Sequence, residues 1–92
     1  MPEEYDAEQL RCHELAVMVR EIDVRIDDTN KVMKDYIFLA NKASEIHVSE
    51  VAVDALEQMV VQLVDHIDKL KMIREKVEHA GHDCAYNLNF SG

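Results

Sequence analysis

Residues 46–77 read IHVSEVAVDALEQMVVQLVDHIDKLKMIREKV, and the fold class turns on their periodicity. Taken in sevens, Ile46, Val53, Val60 and Ile67 fall at one position, and Leu56, Leu63, Leu70 and Val77 at another. Such a 3-4 alternation, sustained heptad after heptad, is the pattern of a coiled-coil seam. β-branched residues at the first position with Leu at the second favour parallel two-stranded packing when the seam meets a like helix. Apolar residues also lie beyond the seam. Met59, Val64 and Ile73 flank it, while Val51, Val61 and Met72 sit on faces that a simple dimer leaves in water. A stripe this wide suits a helix with several neighbours, as in a bundle. One helix cannot bury it alone.

Upstream, a second seam runs through Leu15, Met18, Ile22, Val32, Tyr36, Leu39, Ala43 and Ile46, interrupted by Arg25 and Thr29. Polar residues in a seam weaken packing but can select register or partner. Arg25 is expected to reach solvent along its aliphatic stem. Two places could bend or break the helix. Asp27-Asp28-Thr29-Asn30 is a run of poor helix formers that prefer caps and turns. In residues 41–49 the two seams change phase at Ile46, and Ser44 and Ser49 are both candidate N-caps. A kink or short break is expected there, with a stutter in one continuous helix as the alternative.

The ends carry their own signals. Pro2, followed by Glu3, Glu4, Asp6 and Glu8, is a good helix opening, because proline suits the first helical position and acids suit the dipole. Gly81 is the expected terminator. Beyond it, Tyr86, Leu88 and Phe90 alternate with asparagines, a pattern able to add as a strand to a partner's sheet edge. A flexible tail over residues 81–92 is the simpler expectation.

Composition sets the outer bounds. The chain has 92 residues, 48% hydrophobic and 32% charged, with glycine only at 81 and 92 and proline only at 2. These proportions suit long helices and at most one domain, 1–80, too small to guarantee its helices a private core. The net charge of −9 argues against nucleic acid or anionic lipid as a direct partner, since both reward clustered Lys and Arg. The basic group Lys69, Lys71, Arg74 and Lys76 reads more simply as cations near a helix C-terminus. No signal-peptide pattern opens the chain, and no apolar run is long enough to span a bilayer, so a cytoplasmic protein without membrane insertion is expected.

Candidate chemistry is sparse. There is no Gly-rich phosphate loop, nucleophile elbow or His-Glu-x-x-His zinc motif, and the acids are spread over helix faces. The expectation is no catalytic residue, no cofactor and no metal. Two cysteines are too few for a disulfide scaffold, and a helical cysteine is most often a small buried hydrophobe. Were the chain a hairpin turning near residue 48, Cys12 and Cys84 would come level. Cys12, His13, His82 and Cys84 would then offer a zinc-type ligand set, the basis of an alternative metal-hydrolase reading.

The central stretch resembles the subunit 2 family of the biogenesis of lysosome-related organelles complex 1. The similarity runs through Tyr36-x-x-Leu39, then Ile46-x-Val48-x-Glu50-x-x-Val53-x-Ala55-Leu56-Glu57-Gln58, then Leu63 and Lys69-Leu70. It spans residues 36–70; Ile-x-Val-x-Glu ahead of Ala-Leu-Glu-Gln is its distinctive part. Where that family carries a proline, this chain has Asn41. The first thirty residues and the tail do not share the resemblance. It implies a small helical subunit of an elongated cytosolic hetero-oligomer, with no catalytic residues. Such subunits serve one assembly that sorts endosomal cargo toward lysosome-related organelles. They also serve another, the BORC assembly, which couples lysosomes to kinesin-driven movement.

The sequence thus predicts an all-α chain of long coiled-coil-type helices, broken near residues 41–49, within a multi-helix assembly. Its partners are expected to be other helical coiled-coil subunits, met through Tyr36, Leu39, Ile46, Val53, Leu56, Val60, Leu63, Ile67 and Leu70. The alternative is a self-associating coiled-coil protein, viral or bacterial, with no organelle role.

Overall fold

Two long helices lie antiparallel, joined by a turn of four residues. The computed structural model describes residues 7–84, with α1 at Ala7–Glu45, α2 at Glu50–Ala80 and a short 3-10 turn at His82–Cys84. At 1.5 Å per residue, α1 is about 58 Å long. The helix opening expected at Pro2 and the Tyr86-Leu88-Phe90 alternation lie outside the described residues.

α1 runs without a break through Asp27-Asp28-Thr29-Asn30. Two of the side chains that favour turns elsewhere find partners within the helix. Thr29 Oγ1 donates to the Arg25 carbonyl (2.7 Å), and Lys31 pairs with Asp27 one turn back (3.3 Å). Such i,i+4 contacts support a helix whose inner face is held by packing on both sides of the weak run.

The break falls at residues 46–49, within the window the sequence indicates. α1 ends in a Schellman motif: Val48 N–H donates to the Ala43 carbonyl (3.0 Å) and His47 N–H to that of Ser44 (3.3 Å). His47 takes the left-handed conformation, φ 57°, which this motif usually gives to glycine. Ser49, not Ser44, is the N-cap of α2, its Oγ accepting from Ala52 N–H (3.1 Å). α2 ends at Ala80, and Gly81 N–H donates to the carbonyls of Val77 and Glu78.

The α2 seam packs as its period indicates, but against α1 of the same chain and antiparallel to it. Val19, Ile22 and Val77 form the buried cluster, with Leu15, Ile26 and Leu70 packed on it. The α1 seam needs correction. Cys12, Ala16, Val19, Ile22, Ala40 and Ala43 are buried, whereas Met18, Val32, Leu39 and Ile46 are exposed. The column Leu15–Ile22–Thr29–Tyr36–Ala43 does face inward, but its partner column is Cys12–Val19–Ile26–Met33–Ala40. The reason is chemical. The expected column Met18–Val32–Leu39 includes Arg25, whose guanidinium would have to be desolvated in the seam; the column actually used is apolar throughout. Arg25 instead lies exposed, donating to Glu21 Oε1 (2.8 Å). Toward the turn the buried residues of α1 are the small Ala40 and Ala43.

At the open end, Cys12 and Cys84 form a disulfide, with Cα atoms 5.7 Å apart. Both cysteines are buried. The bridge corrects the expectation that the cysteines serve as small buried hydrophobes without a bond between them: both are buried, but the hairpin brings them level and the 3-10 turn carries Cys84 back to α1. Residues 81–84, expected to be part of a loose tail, are therefore tethered.

Candidate interaction surface

The residues expected to meet partners divide into two groups. Ile67 is buried, while Val53, Leu56, Val60, Leu63, Leu70 and Tyr36 are half-buried along the intrachain seam. A two-helix hairpin can cover only the inner edge of each such side chain, so part of each stays in contact with solvent. Leu39 and Ile46 lie outside the seam, 46% and 62% exposed.

The two flanks of the seam differ in chemistry. One is polar. Arg74 occupies the α2 column of Val53, Val60 and Ile67, and its Nε and Nη2 donate to the two carboxylate oxygens of Asp23 on α1. Nη1 also pairs with Glu78 at 2.9 Å. The hydrogen bonds that Arg74 donates to Asp23 push its guanidinium above the already high ordinary value. Desolvation opposes this, and the charges of Asp23 and Glu78 reinforce it. The basic cluster near the end of α2 is thus partly neutralised within the chain, since Lys69 also pairs with Asp65 (3.1 Å).

The opposite flank is apolar toward each end, with exposed Arg25 and His66 at its middle. Arg11 Nη2 donates to the Ala80 carbonyl (3.1 Å), which places the α1 column of Arg11, Met18, Arg25, Val32 and Leu39 beside the α2 column of Met59, His66, Ile73 and Ala80. Met18, Val32 and Leu39 are 43–46% exposed, and Met59 and Ile73 are 37% and 44% exposed. Sequence reading placed Met18, Val32 and Leu39 inside the seam and so missed this flank. The seven-residue repeat of Cys12, Val19, Ile26, Met33 and Ala40 was the signal that could have corrected it.

The alternative zinc set does not assemble. Cys12 and Cys84 bond to each other, His13 and His82 are exposed, and among the described residues no three His, Cys, Asp or Glu are grouped to hold a metal. His82 instead stacks with His79, centroids 6.4 Å apart. No helix among the described residues is long and apolar enough to cross a membrane. No protein-family model matches the chain, and no curated protein or solved structure matches it significantly.

Proposed function

We propose that this chain is a non-enzymatic helical subunit of a hetero-oligomeric assembly, acting in endosome or lysosome-related organelle biogenesis, trafficking or lysosome positioning. The observation that carries the assembly role is the excess of apolar surface. Among the described residues, Val17, Met18, Val24, Phe38, Leu39, Met72 and Ile73 are exposed, while the buried core consists mainly of small or β-branched side chains. Apolar surface on several faces of so acidic a chain fits a hairpin that adds to further helices. The organelle role is supported by the resemblance of residues 36–70 to subunit 2 of the biogenesis complex.

Co-purification from the native cell, with identification of the bound chains and reconstitution from purified parts, tests this reading. A stoichiometric complex with unlike helical subunits is the expected result. A discrete homodimer with one cooperative thermal transition, unchanged by any co-expressed subunit, would favour the self-associating alternative. The Cys12–Cys84 bridge adds a check on compartment, because disulfides persist in oxidising environments and are rare in the cytosol. In a cytosolic subunit, rapid thiol trapping in the cell should label both cysteines.

A further inference from the structure

The flank runs from Met18 to Leu39 on α1, about 30 Å of helix, and exposed Arg25 and His66 stand between its two apolar ends. Its two borders carry opposite charge. Glu14, Asp28 and Asp35 stand one turn before Met18, Val32 and Leu39, and Glu21 stands one turn before Arg25. Residues four apart are surface neighbours, so these exposed acids line the outer edge of the α1 wall. On α2, Lys69 precedes Ile73 by four and Lys76 follows it by three, with uncharged Ala55 and Gln62 at the matching positions nearer the turn.

We infer that this flank seats one amphipathic helix of an unlike chain, with its apolar stripe in the groove and a row of Lys or Arg along the edge that meets α1. The inference rests on the hetero-oligomer reading and specifies its partner. Charge decides against a second copy of this chain. A copy laid with its α2 over α1 would bring only Lys69 and Lys76 to the acids Glu14, Glu21, Asp28 and Asp35, and would add another −9 of net charge. A copy laid with α1 over α1 would set acids against acids. A partner with a basic edge neutralises Glu14, Asp28 and Asp35, since Glu21 is already paired with Arg25, and the contrast with the α2 border, where Lys76 stands, selects the direction in which it lies.

The probes are two synthetic amphipathic peptides of about four heptads, alike in their Leu/Ile stripe. One carries Lys along one edge and Glu along the other; the second carries Glu along both. Binding to the intact, disulfide-bonded chain is read by fluorescence anisotropy at two salt concentrations. The Lys-edged peptide should bind at least about tenfold more tightly, with the advantage shrinking in high salt. Asp28→Lys combined with Asp35→Lys should weaken it about tenfold. Met59→Asp, or Leu39→Asp on the opposite wall, should weaken it by more than about tenfold while circular dichroism stays unchanged. Val61→Asp, on the outer face of α2, should leave it unchanged. The inference is overturned if the Lys-edged peptide does not bind, or if binding ignores Met59→Asp and Leu39→Asp. It is equally overturned if the chain sediments as a homodimer that Met59→Asp dissociates. A native unlike subunit that co-purifies undiminished with the Met59→Asp chain would remove the groove and leave the assembly reading standing.

Discussion

Arg74 shows how one side chain can hold a seam position and still be charged. It lies where the heptad expects an apolar residue, and it escapes burial by turning sideways to Asp23 and Glu78. The pair joins residues 51 apart in sequence, so it ties the two helices together as well as decorating one. Because the guanidinium is raised, its contribution is fully present below the ordinary arginine value and is lost only as pH climbs through the raised one. Alkaline titration therefore leaves it untouched over the working range. A double-mutant cycle with Asp23→Ala and Arg74→Ala should give a coupling of about 1 kcal/mol, since the groups are partly solvated and screened. Urea denaturation at low and high salt is the measurement, and the coupling should fall as salt rises. Thr29 is the other polar seam residue, and its hydroxyl is already satisfied by the Arg25 carbonyl. This is why the helix tolerates it where the sequence suggested a bend.

At the scale of the element, the turn is the instructive part. His47 adopts a left-handed backbone that costs a residue with a Cβ roughly 1 kcal/mol, and the two Schellman bonds hold it there. His47→Gly should raise stability by roughly 0.5–1 kcal/mol, the relief being partly offset by the greater freedom of glycine in the unfolded chain. Ser49→Ala should cost about 1 kcal/mol by leaving the Ala52 N–H without its acceptor. Thermal denaturation of the two variants checks both signs. α2 itself depends on its seam: Leu63→Asp sets a charge half-buried between the helices and should cost roughly 2–3 kcal/mol. A reduced Tm of the isolated chain would show that Leu63 serves the hairpin itself, whatever it offers to a partner.

For the molecule as a whole, the Cys12–Cys84 bridge closes a loop with a sequence separation of 72. In the chain-entropy description, a closure of that length stabilises by about 4 kcal/mol, a large share of what a chain this size can hold. Reduction should therefore lower the urea midpoint strongly, and Cys12→Ser or Cys84→Ser should do the same without a reductant. Equal midpoints in oxidised and reduced samples would show that the seam alone holds the hairpin. With only two layers of helix, little of the apolar surface can be removed from water. A bound partner that covers more of it should raise Tm, by an amount that grows with the logarithm of its concentration above Kd.

The sequence by itself determined the helical class, the acidic surface, the α2 seam and the position of the break. Each rests on local periodicity, charge or capping chemistry that one segment carries alone. Only the tertiary structure decided which two of the apolar columns on α1 turn inward. Leu15–Ile22–Thr29–Tyr36–Ala43 has a largely apolar column on either side, and the one used keeps Arg25 in water and brings Cys12 to Cys84. The same choice turned Met18, Val32 and Leu39 outward and so created the apolar flank. The repeat of Cys12, Val19, Ile26, Met33 and Ala40 favours one rotation, but a helix with three adjacent, largely apolar columns fits a partner in more than one, and the facing helix selects among them.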